Sequence, residues 1–293
     1  MIKTEIFDFY KKTSMYTDLG MYKEFAIKLP NDISELSLLQ RKQIIHPIII
    51  WNHTQDGWQD DLNKISNTSI IFEDDIFTTA ISMLAELLRR DNNYSINRKV
   101  ENKIHVTCRG EAILLASILK AKGIPARVRS GFAEYLRHDG IYHDHWITEY
   151  YNCKENKWTL VDADNQWGDS KIKFNLNNIP KNEYGYASDI YLDLRNNKLT
   201  EDKVEYASEP VTIGIKAAIR CFMYDFHCLM NDEIIFDFIP KYILNKNFEL
   251  SEEELKELDS LALLMKNPDE NFDKIKTIWN TEEKFRIMSG GLN

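Results

Sequence analysis

Three residues in this sequence could carry nucleophilic chemistry together: Cys108, His145 thirty-seven positions later, and Asp162 a further seventeen on. A thiolate attacks a carbonyl carbon, an imidazole takes up and returns the proton, and a carboxylate fixes the imidazole tautomer. Cys108 opens the predicted helix "CRGEAILLASILKA", whose first-turn N–H groups and dipole favour a thiolate. Arg109 adds to this effect, whereas Glu111 opposes it wherever its carboxylate turns toward the sulfur. The same N–H groups can receive a developing oxyanion, which suits acyl chemistry.

Two of the three have close rivals. His143 faces the same side of a strand as His145, and Asp164 the same side as Asp162. If "HDHWITEYY" and "KWTLVDAD" form a hairpin, a turn centred near Cys153 and Lys154 sets Asp162 opposite His145; a turn one residue later favours Asp164. No CxxC or HExxH spacing accompanies the histidines, so neither a metal centre nor a cofactor is expected.

The elements that must position these residues read as α+β. Residues 1–100 are mainly helical, with a capping-box candidate at Asp32 and Glu35. A second helix spans "EDDIFTTAISMLAELLRR", acids at its start and arginines at its end as the macrodipole prefers. Between them, "WNHTQDGWQDD" is a loop in which Trp51, His53 and Trp58 are candidates to line a substrate cleft.

Residues 101–170 hold the Cys108 helix, with Ala112, Leu115, Ala116 and Leu119 as its buried stripe and Gly123 and Pro125 as its stop. Three predicted strands follow, "ARVRSGFAEYL" among them. Arg127 and Arg129 alternate with Val128, as expected of a solvated strand face or, less simply, of a contact to an acidic substrate. Residues 171–293 form an Asn-rich irregular segment to about 205 and then helices, one with a Ser251–Glu254 capping box. Neither a repeat nor a glycine-rich linker divides the chain, so 1–293 reads as a single domain.

Composition narrows the partners. A formal charge of −9 would repel nucleic acid and anionic membrane, and the most apolar window, "IIHPIIIW", is broken by His46 and Pro47 and too short to span a bilayer. The N-terminus lacks the apolar run of a signal peptide, so a cytoplasmic location is expected. Four cysteines in 293 residues are too sparse for a disulfide framework, so reduced thiols are expected.

The run "CRGEAILLASILKAKGIPARV", then "DHW", then "WTLVDA" resembles the transglutaminase-like cysteine enzyme superfamily over roughly residues 100–168. More weakly, "SMYTDLGMYKEFAIKLPNDISEL" resembles the start of its bacterial stand-alone members. The resemblance implies a papain-like core in which the Cys108 helix packs on an antiparallel sheet, flanked by N- and C-terminal helical additions. It makes Cys108 the nucleophile, His145 the base and Asp162 the orienting acid, while Trp146, next to His145, is expected either to pack beside the imidazole as a substrate-binding residue or to be ordinary core. The implied activity is amide or ester acyl transfer or hydrolysis through a thioester, on a peptide-like or small amide substrate. Such relatives carry Cys-Arg-Asp where this chain has Cys108-Arg109-Gly110. That departure motivates the alternative, a binding or scaffold protein that keeps the fold without turnover.

Overall fold

The computed structural model describes residues 4–47, 72–164, 172–207, 211–236 and 238–287. Trp51, His53 and Trp58 lie outside the described residues. The chain forms two compact units, one of Tyr10–Val128 with Trp146–Pro180 and the other of Met1–Phe9, Arg129–His145 and Lys181–Asn293.

In the first unit the central element is the helix Cys108–Ala121, in which every residue from Cys108 to Lys120 is buried. The expected stripe is therefore part of a helix enclosed all round, as its near-continuous apolar run allows. The helices Lys23–Ile27, Ile33–Arg41 and Ala80–Arg90 pack against it. Asp32 caps Ile33–Arg41 by accepting from the N–H groups of Ser34 (2.9 Å) and Glu35 (3.1 Å).

The next helix departs from the sequence expectation. It starts at Ala80, with a reciprocal Thr79–Ser82 capping box, rather than at the acids 73–75. Glu73 and Asp74 serve the approach to Cys108 instead, accepting from the backbone N–H of His105 (2.7 Å) and of Thr107 (3.0 Å). Buried N–H groups outside a helix need acceptors, and these two carboxylates supply them.

Two short strands, β1 (Ile44–Ile45) and β2 (Ile104–His105), pair in parallel, with Ile44 level with Ile104. Because the pair is parallel, the residues that follow each strand leave at the same end, His46 after one and Val106 to Cys108 after the other. At its far end the Cys108 helix closes through Gly123, at φ 76°, whose N–H donates to the Lys120 carbonyl while that of Ile124 donates to Leu119.

The chain then enters β3 (Ala126–Ala133) and β4 (Tyr142–Asn152), both of which contribute residues to each unit, and β5 (Lys157–Val161). In the first unit β5 pairs antiparallel with β4 from Thr148↔Val161 to Asn152↔Lys157. The turn is thus centred between Lys154 and Glu155, the later of the two positions weighed from sequence.

In the second unit β3 pairs with β6 (Gly185–Tyr186), β4 with β7 (Val204–Tyr206), and β7 with β8 (Thr212–Ile213). The β4–β7 pairing is parallel, so the sheet is mixed rather than purely antiparallel, within an α+β architecture. At Gly131 an added Cβ would stand 2.5 Å from the Gly185 carbonyl oxygen, so glycine permits this strand approach. The Asn-rich segment read as irregular contains the helix Ala187–Arg195, which packs on Gly214–Leu229. Its apolar positions include Ala187, Ile190, Tyr191, Leu192 and Leu194, with Tyr191 stacked on Phe222 at 5.4 Å; tertiary packing supplies what local propensity does not. The Ser251–Glu254 box caps Glu252–Met265 as expected.

Arg127 and Arg129 do not form a solvated face. In the first unit Arg127 donates to Glu149 at 2.6 Å and lies 4.1 Å from the Trp158 ring centroid. In the second, Arg129 holds Asp225 through two bonds of 2.8 and 2.7 Å. Alternation alone does not distinguish a wet strand face from one covered by a helix carrying the complementary acid. Among the described residues, no helix is long and apolar enough to cross a membrane.

Candidate active site

Cys108 is the first residue of its helix and is 7% exposed. The Thr107 side chain does not cap this helix. Its hydroxyl donates to Asp74 Oδ1 at 2.7 Å instead, so it does not compete for the first-turn N–H groups. Burial raises the Asp74 carboxyl above its ordinary pKa, although the Thr107 bonds and the nearby Arg109 charge pull it back. Arg109, itself buried, donates to the Thr78 carbonyl at 3.3 Å and stands 5.3 Å from the Tyr16 ring centroid and 6.0 Å from that of Trp146. Trp146 is 1% exposed.

The first unit brings an unexpected imidazole to the thiol. His46, Cys108 and Asp164 each present a side-chain donor atom, and all three atoms lie within 4.8 Å of one another. His46 Nε2 is 3.7 Å from Asp164 Oδ2, with side-chain exposures of 12% and 2%. The β1–β2 pairing produces this meeting, since it sends His46 and the start of the Cys108 helix out at one end. The sequence signal was slight: one polar residue closing a short apolar strand, with its partner strand sixty positions away.

Asp162 and Asp164 are both buried and bonded to each other, the Asp164 N–H donating to Asp162 Oδ1 at 2.9 Å. The Asp162 N–H donates to the Leu176 carbonyl at 2.9 Å, and Arg41 Nε to the Ala163 carbonyl at 3.2 Å, so the backbone here is held on both sides. Burial pushes the Asp164 carboxyl well up, and the charges of Glu111 and Asp162 push the same way against Arg41. The β4–β5 register sets Thr148 against Val161 and ends before either aspartate.

His145 belongs to the second unit. It is buried, its carbonyl accepts from the Tyr184 hydroxyl at 2.9 Å, and its ring meets that of Tyr135 edge-on at 6.2 Å. His143 is engaged by carboxylates, with Nε2 2.9 Å from Asp139 and Nδ1 3.5 Å from Glu205. Between them, Asp144 accepts from the Ala207 N–H at 2.7 Å, and burial raises its carboxyl.

Gly110 has a packing reason. A Cβ built there would stand 2.8 Å from Val106 Cγ2, 2.9 Å from Val106 Cβ and 3.4 Å from Met83 Sδ. Any side chain at this position would have to displace Val106.

Comparison with known proteins agrees with the motif. No curated protein matches the chain. A solved structure, the "Putative Cysteine Protease from Cytophaga hutchinsonii", is 19% identical at a TM-score of 0.33, a likeness too slight to argue from. The matched region covers 64% of this chain and 50% of that one, so the chain spans about half of that protein's length. The family model of the transglutaminase-like superfamily matches residues 86–163, a span that holds Cys108, His145 and Asp162 and stops short of Asp164. Residues 86–163, which carry Cys108 at the head of its helix, are thus similar to the transglutaminase-like superfamily.

Proposed function

We propose that the protein is a thiol enzyme that hydrolyses or transfers the acyl group of a peptide-like or small amide or ester substrate. Cys108 is the nucleophile, His145 the general base and Asp162 the carboxylate that orients it. The His145 imidazole removes the thiol proton, and the sulfur adds to the carbonyl carbon. The oxyanion forms near the first-turn N–H groups. Its collapse forms the thioester and breaks the bond to the amine or alcohol, which leaves with the proton from the imidazolium. Water or an acceptor amine then adds, and the thiol is released.

The observation that carries this reading is a cysteine at the first turn of a buried helix whose cap side chain is turned aside. The close fit around Gly110 gives that glycine a packing reason, so its presence does not by itself favour a binding-only role.

Iodoacetamide labelling at mildly acidic pH, paired with turnover of a library of acyl-amide and acyl-ester probes, tests the proposal. Cys108 is expected to alkylate faster than the exposed Cys153. Cys108→Ser is expected to abolish turnover, and His145→Asn to lower it by about 10²–10⁴-fold. Equal labelling of the two thiols, with full turnover in Cys108→Ser, would reject the proposal and favour a binding protein.

A further inference from the structure

His46, Cys108 and Asp164 supply a nitrogen, a sulfur and an oxygen donor around one point, all within 4.8 Å. That donor set is one of a borderline-soft divalent ion: zinc takes imidazole, thiolate and carboxylate together, whereas magnesium and calcium take oxygen almost alone. Bond lengths of about 2.0–2.3 Å imply that donors of one tetrahedral site stand roughly 3.3–3.6 Å apart. His46 Nε2 and Asp164 Oδ2, at 3.7 Å, stand just outside that spacing. The pairs that include the Cys108 sulfur lie within 4.8 Å.

The surroundings favour a cation as well. Asp162, whose Oδ1 accepts from the Asp164 N–H, and Glu111, whose carboxylate acts on Asp164, are two further buried acids beside it. Arg41, which donates to the Ala163 carbonyl, is a cation at its edge. Burying several carboxylates together is costly unless positive charge accompanies them. Three protein ligands leave the fourth tetrahedral position open to solvent or substrate.

We propose that His46, Cys108 and Asp164 form a binding site for a thiophilic divalent cation of the zinc class, and that an occupied site holds the Cys108 sulfur out of acyl chemistry. Binding and catalysis then compete for one sulfur atom. The binding half stands on this geometry alone; the inhibitory half rests on Cys108 being the nucleophile proposed above.

Cobalt(II) titration of the reduced full chain tests binding without an activity assay. The expected result is a thiolate-to-cobalt charge-transfer band in the near ultraviolet with intense tetrahedral d–d bands, both displaced by zinc. Cys108→Ser is expected to abolish the charge-transfer band, and Cys153→Ser to leave it intact. His46→Ala and the near-isosteric Asp164→Asn are each expected to weaken zinc binding tenfold or more, with circular dichroism confirming the fold. Absence of the band, or a band that survives Cys108→Ser, would overturn the site. Zinc-sensitive alkylation of Cys108 supports the inhibitory half, and alkylation indifferent to saturating zinc overturns it. An inactive protein that still binds cobalt through Cys108 would reject the enzyme reading while leaving the site standing.

Discussion

Asp74 accepts hydrogen bonds from both the backbone N–H and the hydroxyl of Thr107, at 3.0 and 2.7 Å, and Thr107 is the residue immediately before Cys108. One carboxylate therefore fixes the entry to the nucleophile's helix and turns the cap hydroxyl away from it. Bonds to a charged acceptor contribute about 1.5–3 kcal/mol. Asp74→Ala is expected to lower stability by about that amount in urea unfolding and to slow Cys108 alkylation. Thr107→Ser, which keeps the hydroxyl, is expected to match the native rate, while Thr107→Val is not. An alkylation rate unchanged in Asp74→Ala would remove the link between this anchor and the thiol.

Gly110 makes a second prediction about the same helix. Its neighbours leave no space for a side chain, with Val106 Cγ2 at 2.8 Å from where a Cβ would stand. Gly110→Ala is expected to destabilise by about 1–3 kcal/mol through overpacking, despite the better helix propensity of alanine. Adding Val106→Ala is expected to recover part of that loss, a non-additivity read by a double-mutant cycle in urea. Gly110→Asp is expected to be worse than Gly110→Ala, since it buries a carboxylate as well. A neutral or stabilising Gly110→Ala would show that packing is not what holds this position as glycine.

What the sequence makes legible here is what local periodicity and capping encode. The stop of the Cys108 helix at Gly123 and the Ser251–Glu254 box are each set by residues within a few positions of one another. What it hides is set by pairing over distance. His46 reaches Cys108 only because β1 and β2 pair in parallel across sixty residues. Glu73 and Asp74 look like part of a helix start because their partners, the N–H groups of His105 and Thr107, lie 32 and 33 positions on. Arg129 looks solvated because Asp225 is ninety-six residues away.

The four thiols should separate by environment. Cys153 is exposed, Cys221 and Cys228 are fully buried on Gly214–Leu229, and burial pushes the Cys221 thiol well up. A raised thiol pKa lowers the thiolate fraction at every pH below it, and the thiolate is the reacting form. In native protein, iodoacetamide at pH 8 is therefore expected to modify Cys108 and Cys153 and to leave Cys221 and Cys228 untouched, read by peptide mass spectrometry. In urea all four are expected to react at similar rates. Alkylation of Cys221 without denaturant would show that its helix opens readily.

Arg129 and Asp225 carry the clearest stability prediction. Both are essentially excluded from solvent, at 2% and 0% side-chain exposure, and Asp225 Oδ1 also accepts from the Ser130 N–H at 3.2 Å. The Tyr186 ring centroid lies 4.6 Å from the Arg129 guanidinium carbon, so the charge is packed as well as paired. Removing one member of a buried pair leaves the other charged without its counter-ion, which costs about 3–5 kcal/mol. Asp225→Ala and Arg129→Ala are each expected to lose that much in urea unfolding. The pair as a whole is a different quantity, because forming it requires both groups to be desolvated. Arg129→Met with Asp225→Leu, which fills similar volume without charge, is expected to recover most of the loss, offset by the Ser130 N–H left without its acceptor. If the double variant is no more stable than either alanine variant, the pair contributes more than its desolvation costs and the recovery argument fails.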